Sequence, residues 1–184
     1  MTNLAPDHRS PDHRTPGHRT GDHRAPDPHQ PVLIRAAEAE RVPLIGHVLL
    51  ADADATGGAL SSHRVELATG ANGAVPHHHT ASSELFYILD GRLDVLVGTE
   101  VHTADPGDLL VVPPHLDHAF AAHPGSPAEA LIVITPGIQR FDYFRLVQRT
   151  RAGQEPAGTL LASQERFDTY FVDSPAWQAA REAG

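Results

Sequence analysis

Apolar and polar residues alternate along the middle of the chain, and the rhythm changes near Pro136-Gly137. Alternation with a period of two puts successive side chains on opposite faces of a strand. Residues 60–67 follow it, with His63, Val65 and Leu67 on one face. Residues 85–89 and 93–97 are β-prone runs joined by Asp90-Gly91-Arg92, the signature of a hairpin. Further strands are predicted at 32–34, 44–50, 100–104, 109–112, 119–123 and 130–135, separated by turns such as Asp105-Pro106-Gly107-Asp108. A series of short strands with evenly spaced turns predicts an all-β sandwich or barrel. Beyond Pro136 the period lengthens. Ile138, Phe141, Phe144 and Val147 mark a helix, residues 152–158 a linker, and residues 163–171 a second helix. Ser174-Pro175 predicts the start of a third, with serine as N-cap, proline at the first position and Trp177 inside it. These helices are expected to cover barrel residues.

Residues 1–30 follow neither rhythm. Asp7-His8-Arg9, Asp12-His13-Arg14, Gly17-His18-Arg19 and Asp22-His23-Arg24 recur every five residues with proline between them. Such a segment buries too little apolar surface to offset its ordering entropy, so a disordered tail is expected. It lacks the apolar stretch of a signal peptide, which leaves a cytoplasmic location as the default. The chain therefore divides into a tail (1–30), a barrel (31–137) and a helical extension (138–184).

Charge and composition exclude several chemistries. The formal net charge is −9, and the main body has no basic run, so nucleic acid and anionic membranes are poor partners. The absence of cysteine excludes disulfides, thiol nucleophiles and thiolate ligands. The absence of lysine excludes side-chain Schiff bases.

The remaining candidate chemistry lies in two segments. In His77-His78-His79 the first and third histidines share one face of an extended strand, while His78 points away. Glu84 follows after a short turn, at the start of the run that ends at Asp90-Gly91. The later segment, Pro113-Pro114-His115-Leu116-Asp117-His118, turns and enters another strand, and His118 is a candidate fourth ligand. Imidazole and carboxylate donors together suit one divalent transition metal per chain (Fe, Mn, Ni, Co or Zn), with positions left open for other ligands. Strand parity puts Phe86 and Ile88 on the face of Glu84, and Phe120 on that of His118. With His63 on a facing strand they are the candidate substrate-binding residues. His115 and Asp117 are expected to be exposed near the mouth.

The two segments resemble the paired motifs of the cupin superfamily. His77, His79, Glu84 and Gly91 fit the spacing of the first motif, and Gly107, Pro113 and His118 that of the second. Gly70 and Gly73 flank the place of the glycine expected before His77. His115 stands where the family often has glycine, and Ala122 where it often has asparagine. The resemblance implies a jelly-roll β-barrel with His77, His79, Glu84 and His118 as metal ligands, commonly dimeric. The Pro-Gly exit from the last strand and the aromatic stretch Phe141-Asp142-Tyr143-Phe144 are similar to single-domain bacterial quercetin dioxygenases. That likeness implies a metal-dependent dioxygenase acting on an aromatic or enolic small molecule with O2, with Glu84 as both ligand and catalytic base. The alternative from the wider family is non-oxidative: an isomerase or cyclase of natural-product assembly, or a metal-dependent binding protein.

Overall fold

The structure, a computed structural model, describes residues 30–183. The tail expected to be disordered thus lies, apart from Gln30, outside the described residues. Eleven strands and four α-helices are present among them. The strands are β1 (Glu40–Val42), β2 (His47–Ala51), β3 (Ser61–Leu67), β4 (His77–His78), β5 (Ser83–Gly91) and β6 (Leu93–Val97). They continue as β7 (Glu100–Ala104), β8 (Leu109–Val112), β9 (His118–Ala122), β10 (Ala128–Thr135) and β11 (Tyr170–Phe171). The helices are α1 (Phe141–Arg151), α2 (Ala157–Ala162), α3 (Gln164–Phe167) and α4 (Pro175–Glu182). None is long and apolar enough to cross a membrane.

Two antiparallel sheets face one another, one ordered β1-β2-β3-β10-β5-β8 and the other β11-β4-β9-β6-β7. The fold is the mostly-β jelly roll expected, with helices at its C-terminal end. Along β5, Glu84, Phe86 and Ile88 are buried while Tyr87 and Leu89 are exposed, so the inward face is the one that parity assigns. Strand β3 alternates in the same way, with His63, Val65 and Leu67 inside. Between the sheets, Phe86, Ile88 and Ile132 meet Leu93, Val95 and Phe120 in the principal core. Strand β9 is buried on both faces because α4 covers its back, Trp177 packing with Leu96, Ala119 and Ala121. Ser174 caps α4 by accepting a hydrogen bond from the Trp177 N–H at 3.3 Å.

Three segments depart from expectation. Val32, Leu33 and Ile34 form no strand and are exposed, because β1 takes the edge position beside β2. Residues 44–50 are not one strand. Pro43–Ile45 is a 3-10 turn closed by Gly46 at φ +67°, where an added Cβ would meet the carbonyl oxygen of Glu66, and extended structure resumes at His47. The expected helix over 163–171 ends at Phe167. Asp168 adopts φ +46°, a left-handed conformation that Asp tolerates better than most residues, and the chain returns as β11 against β4.

Helix α1 is tied to the barrel at its start. Asp52 accepts hydrogen bonds from the backbone N–H groups of Arg140 (2.8 Å) and Phe141 (3.1 Å). A carboxylate from a distant loop thus satisfies donors that a helix start leaves open, and complements its dipole. Phe144 then packs on Val42, Ile45 and Leu49.

One backbone position yields a prediction. His115 sits at φ +65° and is exposed, at the place where the family motif often has glycine. A left-handed conformation costs a residue with a Cβ about 1–2 kcal/mol, partly balanced by the greater unfolded-state freedom of glycine. His115→Gly should therefore raise unfolding stability by up to about 1 kcal/mol. An unchanged or lower urea midpoint would show the turn to be unstrained.

Candidate metal centre and the cleft above it

The candidate ligands come from two paired strands of one sheet, one strand of the facing sheet, and the turn that joins β4 to β5. His77 lies on β4 opposite His118 on β9, and Glu84 on β5 is paired between Val112 and Ile134. His79 follows β4 directly. Strand alternation turns His78 outward, where its Nδ1 lies 3.0 Å from Asp117 and its ring stacks on Tyr170. That contact keeps Asp117 half-buried rather than exposed, while His115 is exposed as expected. The four candidate ligand atoms lie within 4.8 Å of one another, and all four residues are buried. The Glu84 Oε2 atom is 2.7 Å from His118 Nε2, 3.1 Å from His79 Nε2 and 4.0 Å from His77 Nε2.

The hydrogen bonds behind the rings bear on whether these donors suit a cation. Each Nδ1 faces a backbone carbonyl: His77 that of Val75 at 2.8 Å, His118 that of Leu116 at 2.9 Å, and His79 that of Asp168. A carbonyl only accepts, so Nδ1 carries the proton in each ring and donates it. In the neutral ring Nε2 then presents a lone pair. Burial, followed by the neighbouring imidazoles His118 and His79, holds His77 well below its ordinary pKa; burial and then Arg140 lower that of His79. Burial pushes the Glu84 carboxyl up, but hydrogen bonding with His118 and His79 overrides it, and the group stays well below its usual range. Lone pairs therefore converge on an ionised carboxylate, an arrangement that calls for a cation between them. The donor set fits a divalent transition metal held by His77, His79, Glu84 and His118.

Asp168 braces this arrangement from the C-terminal part of the chain. Its carboxylate accepts hydrogen bonds from Thr80 N (2.8 Å), Thr80 Oγ1 (2.6 Å) and Ala81 N (2.9 Å), while its own carbonyl receives the His79 Nδ1–H. Burial raises the Asp168 pKa, yet the hydrogen bonds from Thr80 and Ala81 leave it below its ordinary value.

Above Glu84 and His77 lies a small cleft. One wall is His47 and His63, stacked with ring centroids 5.0 Å apart and planes 8° apart. Phe144 of α1 packs against both rings, with centroids 4.7 Å and 4.5 Å away, and Tyr143 and Arg140 also line the cleft. The cleft continues into a wider opening bounded by Val75, Tyr143, Leu160 and Phe171. Of the candidate substrate-binding residues, His63 and Phe120 line this cleft. Phe86 and Ile88 do not. They point inward, but into the packed core, where they are 0% and 1% exposed. Sequence reasoning missed His47 and Arg140, which no motif marks, and noted Tyr143 only within the aromatic stretch after the last strand, not as a cleft residue.

The stacked pair predicts an acid sensitivity. Burial, opposed by a hydrogen bond to the Ile45 carbonyl, lowers the His47 pKa to about 4. The unfolded chain, titrating near 6.5, takes the proton first as pH falls, so stability is intact above pH 6.5 and declines towards pH 4. A shift of this size is worth about 3 kcal/mol. His47→Asn should flatten the urea-stability profile between these limits, and a profile as steep as that of the wild type would contradict this.

Comparison with known proteins supports the fold. No curated protein matches the sequence. Residues 63–134 match the family described as Cupin domain. The chain is similar to a crystallised cupin protein from Bacteroides fragilis, at 23% identity and TM-score 0.41, over 42% of this chain and 65% of that one, less than two thirds of its length. It is similar to KdgF from Halomonas sp. at 22% identity and TM-score 0.50, over 62% and 99% of the two chains. It is also similar to the polyketide cyclase RemF from Streptomyces resistomycificus at 18% identity and TM-score 0.47, over 58% and 80%.

Proposed function

We propose, from the premise that this chain carries a cupin domain, that it is a metal-dependent enzyme whose reaction is dioxygenation of an aromatic or enolic small molecule. The observation that carries this reading is the buried cluster of His77, His79, Glu84 and His118, of which His77 and Glu84 line an aromatic-walled cleft. A divalent metal held there by His77, His79, Glu84 and His118 would acidify a substrate hydroxyl and provide a place for dioxygen. The remaining work belongs to the protein. Phe120, Tyr143 and Phe144 exclude water and lower the local dielectric, which strengthens each charge interaction. Glu84 is ionised at neutral pH and is the acceptor for a substrate hydroxyl proton. We extend the proposal to a homodimer formed through the β8 edge, where Leu109 and Val111 are exposed beside Tyr87.

A second reading is favoured by the His47–His63 pair. Two imidazoles and the Tyr143 phenol around one cleft could relay protons without any oxidation, as an isomerase or cyclase requires. Oxygen uptake separates the two. Metal-reconstituted protein should consume O2 with quercetin or with a small aromatic β-diketone, with loss of the substrate absorbance. Conversion that proceeds equally under anaerobic conditions would displace the oxidative reading in favour of the second.

A further inference from the structure

Arg140 is 3% exposed, and no carboxylate forms an ion pair with it among the described residues. Its five N–H donors meet few acceptors. Nη1 donates to Thr169 Oγ1 at 3.2 Å, Nε has no partner, and Nη2 lies 2.8 Å and 3.0 Å from the two ring nitrogens of His79. The His79 contacts cannot serve as lasting acceptors. Its Nδ1 donates its proton to the Asp168 carbonyl, and its Nε2 lone pair is directed at the candidate metal position. A guanidinium stays charged in proteins; Glu84, Asp168 and Asp52 act on this one only from a distance and the Tyr143 ring centroid lies 5.9 Å from it, so its donors remain open to an anion. Arg140 lines the cleft directly above Glu84 and His77, so a molecule entering the cleft meets it. A second cation, Arg151, stands at the junction of the cleft and the wider opening, held by the carbonyls of Leu44 and Gly73 and likewise without an ion pair among the described residues. Formal charge on the cleft's ionised groups, with a divalent metal in place, is positive.

We propose that Arg140 binds an anionic group of the substrate, so that this chain acts on acids, with a carboxylate or enolate seated on the guanidinium, rather than on neutral molecules. The inference rests on the reading of the cleft as the substrate site. Arg151 attracts the anion to the entrance, and Arg140 fixes its orientation beside the metal ligands. His63 and Phe120 face the rest of the molecule.

The test uses the full chain, both metal-free and zinc-loaded, titrated calorimetrically with benzoate and its neutral counterpart benzamide. Benzoate should bind at least about tenfold tighter than benzamide in both forms, as charge-assisted hydrogen bonding implies. Arg140→Gln should weaken benzoate by about 10- to 100-fold and leave benzamide within about twofold, while Arg140→Lys keeps part of the preference. Zinc stoichiometry of Arg140→Gln should equal that of the wild type. Its ligand-free melting temperature should stay close to that of the wild type, because Arg140 forms no ion pair whose loss would strand a partner. The proposal is overturned if benzoate binds no better than benzamide or not at all, if Arg140→Gln leaves benzoate affinity intact, or if that variant melts well below the wild type. Failure of the wild type to hold zinc would instead remove the metal-centre reading, while the metal-free titrations still decide the role of Arg140.

Discussion

Glu84→Ala should abolish high-affinity metal binding, lowering affinity by about 100-fold or more, with His118→Ala behaving alike. The reasoning is electrostatic. Glu84 is the carboxylate that the three Nε2 atoms face, at 2.7, 3.1 and 4.0 Å. Without it a divalent ion would meet only neutral imidazoles beside the Arg140 guanidinium, which repels it. His78→Ala is the internal control. His78 lies one residue from two candidate ligands but faces Asp117 and Tyr170, and its loss should leave the metal content unchanged. Competition against a chelator reads both, and it discounts weak binding by the histidines of residues 1–30. Wild-type affinity in Glu84→Ala would eliminate the proposed centre.

Asp168→Ala should have the second-largest effect, although the residue lies far from the ligands in sequence. Three donors from Thr80 and Ala81 converge on its carboxylate and hold the turn between His79 and Glu84. Truncation leaves those donors without their acceptor, at a cost of about 2–3 kcal/mol. It also leaves the Asp168 backbone carbonyl, which receives the His79 Nδ1–H, without its side-chain anchor, and a loosened orienting contact lowers metal affinity by about 10-fold. Asp168→Asn should fall between, since an amide oxygen accepts only part of the set and asparagine tolerates the left-handed backbone. The folded-state pKa of Asp168 is depressed, so its contribution is fully present above about pH 4 and is lost as pH falls through the folded value. Stability curves of wild type and Asp168→Asn should therefore converge in acid. Curves that stay parallel down to that range would assign the clamp to hydrogen bonding independent of charge.

The candidate ligands were legible because a strand writes its geometry into sequence. The alternation that places His77 and His79 together also sends His78 outward, and the same parity aligns Glu84, Phe86 and Ile88. It specifies a face and not a depth, which is why Phe86 and Ile88 prove to be core rather than cleft. The start of α4 was readable from Ser174-Pro175 because a cap is a local interaction. Asp168, Arg140 and His47 act through contacts between residues far apart in sequence. Asp168 clamps a turn 87 and 88 residues away. His47 meets His63 only in the β2–β3 register, in which His47 stands opposite Val65. Val32, Leu33 and Ile34 show the converse: a β-prone run is no strand when another segment holds the edge.

The candidate ligands fall between residues 77 and 118, within the stretch that matches the cupin domain, whereas Arg140, Tyr143, Phe144 and Asp168 all follow its end at residue 134. The residues that would hold an ion and those that line the cleft from the C-terminal side thus lie in separate segments of the chain. A change in α1 alters the wall of the cleft and leaves the spacing of the candidate ligands as it is. For an engineer, positions 140, 143 and 144 are where a randomised library would alter acceptance without touching the proposed coordinating residues.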